Sequence, residues 1–159
     1  MPTKLTQHFT LEEMTFSQTA ARDGIDNKPA ALQIKALKAL CVNLLEPIRI
    51  TLAQSVMITS GFRSPKLNRA VGGAASSQHL EGKAADIVCP AMTPKALFKR
   101  VLAMNLPFDQ IIYEGGRQSQ WVHISYNGKK GRGEILEATF PESGGVQYRK
   151  LSRAEAARV

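Results

Sequence analysis

Sulfur is scarce in this chain, with two cysteines, Cys41 and Cys89, in 159 residues. That is too few for a disulfide scaffold. Cys41 falls in an expected helix and Cys89 at the end of an expected strand, so both are read as free, buried, small hydrophobes. Long apolar runs are missing too. A bilayer-crossing helix needs about 20 such residues, and the start MPTKLTQHFTLEEM lacks the charged-then-apolar order of a secretory signal. We therefore expect no membrane insertion. The expected location is cytoplasmic when made, with action on a cell wall after lysis-type release or as a virion component. The net charge is +8, but no basic helix, aromatic–basic interleaving or finger spacing accompanies it, which argues against nucleic acid. The cations are dispersed, with modest groups at RSPKLNR and NGKKGRG, and an anionic bacterial envelope suits that distribution as well; charge alone does not choose. No internal repeat and no low-complexity linker is present, so we expect one domain over 1–159, and a monomer.

Enough patterning is present to place elements. Thr10 and Glu13 form a capping box for a short helix at about 10–15. ARDGIDNKP is rich in turn formers. Asn27 as cap and Pro29 in the first turn start a helix over about 29–46, with Leu37, Leu40, Leu44 and Ile48 as its core face and Pro47 to end or kink it. VMITS at 56–60 reads as a strand, GFRSPKLNRAVGGAASSQ as a loop, and AADIVC at 84–89 as a second strand. Thr93 and Pro94 open a helix to about 104 with Leu97 and Val101 inward. FDQIIYE (108–114) and QWVHISY (120–126) pair around GGRQS, and EILEATF adds an edge strand. The expected class is α+β: helices mostly ahead of, and packed on, a mainly antiparallel sheet.

Only three histidines occur in the chain, and one, His79, stands seven residues before Asp86. On one helix the two would lie about 10 Å apart along the axis, too far to share an ion. Gly82 interrupts, so a loop delivers His79 and a strand delivers Asp86. Alternation sets Ala84, Asp86 and Val88 on one face. A carboxylate between apolar neighbours needs a partner, since burying it alone is costly. His123 shares a strand face with Trp121 and Ser125. Two histidines and one acid leave an open position on a catalytic zinc.

SGFRSP, LNRAVGGAASSQHLEGKAADI and FDQIIYE with WVHIS closely resemble the zinc D-alanyl-D-alanine carboxypeptidase and endopeptidase family. That family cleaves bacterial cell-wall peptides, includes phage lysis enzymes and shares its fold with the Hedgehog signalling domain. Its signature Ser-x-His-x-x-Gly-x-Ala-x-Asp with a later Trp-x-His is matched by Ser77, His79, Gly82, Ala84, Asp86, Trp121 and His123. The resemblance runs from FTLEEM to WVHIS (about 8–126). The segment after about 127, including the tail at 140–159, carries no motif. The resemblance implies one Zn2+ held by His79, Asp86 and His123, and peptidoglycan peptides as substrate. It implies that Arg63 polarises a carbonyl or holds a substrate carboxylate, and that Ser77 hydrogen-bonds substrate or a ligand.

The departure is the general base. Many relatives carry an acid three residues before the last histidine, where this chain has Gln120. Glu114 and Asp109 are the nearby acids, and a hairpin around GGRQS favours Glu114; Asp109 has a second reading as a cap or as partner to a histidine ligand. Glu81 is expected to be exposed. Two other readings stay open. Two histidines and a carboxylate also make the facial triad of a non-haem iron oxygenase, although that class commonly uses a close His-x-Asp pair. The missing acid at Gln120 would also fit a non-catalytic wall-binding or virion module that kept its zinc site.

Overall fold

Alternation along the strands splits the sheet into an apolar face and a polar one, and this split positions everything else. The computed structural model describes residues 1–128 and 131–159, so the Lys129–Lys130 pair of the NGKKGRG group lies outside the described residues. Within the described residues six strands run β1 (Met57–Ser60), β2 (Ala84–Val88), β3 (Gln110–Gly115), β4 (Gln120–Ser125), β5 (Glu134–Thr139) and β6 (Gln147–Leu151). Their spatial order is β1-β2-β4-β3-β5-β6, antiparallel except for the parallel β3–β5 pair. Ala85, Ile87, Ile111, Val122, Ile124, Ile135 and Leu151 make the apolar face and join one core with the helices.

Among the described residues seven α-helices frame the sheet: α1 (Leu11–Thr15), α2 (Gln18–Asp23), α3 (Ala31–Leu40), α4 (Glu46–Leu52), α5 (Pro65–Ala70), α6 (Pro94–Ala103) and α7 (Arg153–Ala156). The capping box of Thr10 and Glu13 starts α1 as expected. Leu37, Leu40, Leu44 and Ile48 are fully buried, as are Leu97 and Val101 on α6. Both cysteines are free and buried, and burial pushes the Cys41 thiol up to about 12. Among the described residues no helix is long and apolar enough to cross a membrane.

Several expectations need correction. Pro47 does not end the long helix. A π-turn over Cys41–Leu45 joins α3 to α4, and the helix runs to Leu52. In a regular helix the Pro47 ring would meet the Asn43 carbonyl; the widened turn, with Glu46 N–H donating to Cys41 O, relieves that collision. Asn27 caps no helix. Its side chain donates to the Thr15 and Phe62 carbonyls and accepts from Ser64 N–H, so it staples two loops. Helix α2 runs into the stretch read as turn-rich from Ala21, and α5 lies within the stretch read as a loop. Each is short but capped, by Ser17 and by Ser64 followed by Pro65. The strand β5 is interior rather than an edge. The tail supplies the true edge, β6, and α7 locks it down through buried Leu151 and Ala156 and an Arg153 Nη1 bond to Leu102 O of 3.0 Å.

His79 belongs to a 3-10 turn, Gln78–Glu81, capped by Ser77 and closed by Gly82 at φ +72°. A Cβ on Gly82 would stand 2.6 Å from the Gln33 carbonyl oxygen of α3. Both left-handed backbone and close approach therefore require glycine there. Gly82→Ala should destabilise the fold by about 1–3 kcal/mol in urea unfolding; an unchanged midpoint would show that this turn is not seated on α3 as described.

Candidate metal centre

The sheet register itself brings the first two ligand candidates together. Asp86 of β2 pairs with His123 of β4, and Ser60 of β1 and Ile112 of β3 continue the same row on either side. Cross-strand partners point to one face, here the polar one. The 3-10 turn then lowers His79 onto Asp86. All three side chains are buried.

Their hydrogen bonding decides what the cluster is. His79 Nδ1 lies 2.7 Å from the Gly61 carbonyl oxygen. A carbonyl only accepts, so Nδ1 carries the proton and a neutral His79 has a lone pair on Nε2. That lone pair faces Asp86 Oδ1 at 3.3 Å, and His123 Nδ1 faces the same oxygen at 3.1 Å. Two acceptors in such contact need a cation between them. His123 can meet its contact as a neutral ring by donating from Nδ1, but His79, whose Nδ1 proton goes to Gly61, would have to become an imidazolium in a buried site, which burial opposes. One metal ion satisfies both contacts. Tetrahedral zinc with bonds of about 2.0–2.1 Å sets its ligand atoms about 3.3 Å apart, the separation found along both edges. The three donor atoms lie within 4.8 Å of one another, as a metal-holding group requires. Burial works against the Asp86 carboxylate, and positive charge on its histidine side, whether from a protonated ring or from a metal ion, is what holds its carboxyl well below the ordinary range.

A family model for peptidase M15 matches residues 7–125. The chain belongs to the peptidase M15 family. Membership suggests a metallopeptidase, and the buried His-Asp-His group is where an M15 enzyme of this sequence could hold its metal. No curated protein matches the chain.

A cleft of about 670 Å³ opens above the triad. Arg63 lines it, but its guanidinium is already engaged: Nη2 lies 3.4 Å from Asp86 Oδ2, Nε 3.0 Å from Ser60 Oγ and Nη1 3.2 Å from Asn68 Oδ1. It braces the ligand carboxylate from the side away from the histidines. A side chain at Gly73 would collide with both Asn68 and Arg63. Ser77 also lines the cleft, and its Oγ accepts from His79 N–H at 3.2 Å. Glu114 lies two residues along β3 from Ile112, paired with Trp121, with Oε2 4.0 Å from His123 Nδ1. Gln120 turns its amide to the Gly116 carbonyl within the hairpin. The third histidine, His8, is used elsewhere, paired with Glu46 at 2.6 Å.

Asp109 stands apart from the triad. It is buried and accepts hydrogen bonds from Gln78 Nε2, Asn127 Nδ2 and the Arg132 backbone and guanidinium, at 2.8–3.3 Å. It ties the 3-10 turn to the loop before β5. Sequence reasoning missed Arg132 in the cleft, which Asp109 holds, and Tyr148 from the tail, whose hydroxyl donates to Glu114 Oε1 at 2.7 Å. The Arg132 bonds, helped by Gln78, hold the Asp109 carboxyl down to about 2 against its burial. A lowered folded pKa stabilises above the unfolded value and loses that stability as pH falls through the folded one. Asp109→Asn should therefore cost roughly 1–2 kcal/mol at pH 7, discounted for the exposed Arg132. In urea unfolding the gap from wild type should narrow between about pH 4 and 2; a gap independent of pH would remove the ion pair from the account.

Proposed function

We propose that this chain is a zinc peptidase that hydrolyses a peptide bond in peptidoglycan stem peptides. The observation that carries the reading is the single Asp86 oxygen facing two imidazole nitrogens at tetrahedral-edge distances. A zinc ion held by His79, Asp86 and His123 would lower the pKa of a bound water toward neutrality and polarise the scissile carbonyl. Peptidoglycan as substrate rests on the family resemblance and on the net charge of +8, which favours approach to an anionic wall.

The chain's own groups supply the rest. Glu114 is the acid whose carboxylate reaches the triad side of the cleft. It takes the proton from the water that attacks the carbonyl carbon. As the new C–O bond forms and the C–N bond breaks, it returns that proton to the leaving amine. Arg63 steadies Asp86 and adds positive charge near the carbonyl oxygen, where negative charge develops. The indole N–H of Trp121 is buried without a hydrogen-bond partner among the described residues and borders the cleft. It offers a donor to the peptide backbone, as does the Ser77 hydroxyl.

Purified protein incubated with peptidoglycan should release stem-peptide fragments, and mass spectrometry of those fragments identifies the bond cut. Chelation and His79→Ala should abolish release. Glu114→Gln should retain zinc while losing about 10²–10⁴-fold in rate. Zinc-loaded wild type that leaves peptidoglycan intact would overturn the peptidase reading, and normal turnover by Glu114→Gln would remove Glu114 as the base.

A further inference from the structure

The family match stops at residue 125, yet the cleft does not. Leu136 and Tyr148, from β5 and β6, line it beside the triad. The register explains how Tyr148 arrives there. Tyr113 pairs with Glu137 across β3–β5, which brings Glu114 abreast of Ala138, and Ala138 pairs with Tyr148 across β5–β6. Ala138, between them in the register, carries only a methyl group, and the Tyr148 hydroxyl lies 2.7 Å from Glu114 Oε1. Oε2, the other oxygen, is the one directed at His123.

We propose that Tyr148 is a positioning residue for Glu114, so that the C-terminal ribbon beyond the family match completes the catalytic cleft. A carboxylate on a flexible side chain has several rotamers, and a general base works from one of them. The phenol engages one oxygen and leaves the other facing the triad. Burial and the neighbouring Glu114 charge both push the Tyr148 phenol up, so it stays a protonated donor across the neutral range. The ribbon that carries Tyr148 is firmly anchored. Leu151 is buried in the core, and Arg153 of α7 bonds Leu102 and lies over the Phe108 ring.

The proposal rests on Glu114 as the base, and two measurements let the two ideas fail separately. Crystal structures of wild type and Tyr148→Phe should show the Glu114 carboxylate ordered in the first and turned or split between rotamers in the second. An unchanged carboxylate in the variant would overturn the proposal, whether or not the protein cuts peptidoglycan. In turnover of stem peptides, Tyr148→Phe should lower kcat about tenfold with KM within about twofold, zinc content and unfolding midpoint being unchanged. In a Glu114→Gln background it should cause no further loss. A rise in KM, or an equal loss in both backgrounds, would make Tyr148 a substrate contact instead.

Discussion

One carboxylate oxygen organises this molecule. Asp86 Oδ1 faces both His79 and His123, and most of what surrounds it keeps that arrangement in place. The β2–β4 register opposes Asp86 and His123. Ser77 and Gly82 bracket the turn that presents His79. Gly61 fixes which imidazole nitrogen is free, and Arg63 braces the second carboxylate oxygen. The partners come from the sheet, the turn and the loop before α5, so the cluster forms only when all three are assembled. Burial makes the arrangement demanding: without a cation the His79 Nε2 lone pair would face Asp86 Oδ1 in a site shielded from water.

The two faces of the sheet divide the work. Ala85, Ile87, Val122 and Ile124 bury one face against the helices, and their alternate neighbours Asp86, Trp121 and His123 stand on the other. A packed core thus sits directly beneath the candidate metal site, which suits a group that must hold ligand atoms to within a few tenths of an ångström. Support continues outward. Asp109 binds Gln78 on the His79 turn and Arg132 before β5, while Tyr148 meets Glu114 from the sheet edge. The tail is therefore part of the fold and of the cleft.

Much of this was legible in the sequence wherever the cause is local. Alternation in AADIVC and QWVHIS placed Asp86 and His123, and the Thr10 and Thr93 caps placed two helices. Other features depend on distant partners. Pro47 reads as a stop because the relieving π-turn is set by helix packing, and Asn27 reads as a cap because Thr15, Phe62 and Ser64 come to it only in the folded chain. The helix at Pro65 had a readable signal in Ser64-Pro65. Tyr148 had none: QYRKL buries a single residue, and its relation to Glu114 passes through a parallel strand pair. Sequence proximity likewise could not separate Asp109 from Glu114, since the Asp109–Arg132 pairing spans 23 residues.

The central claim is that a single metal ion belongs among His79, Asp86 and His123. Anomalous X-ray scattering at the zinc edge, from crystals of the full chain grown with zinc, tests it most directly. The account predicts one peak, about 2.0–2.2 Å from His79 Nε2, Asp86 Oδ1 and His123 Nδ1. Crystals with zinc in excess that show no peak there, the three side chains contacting one another directly, would contradict it.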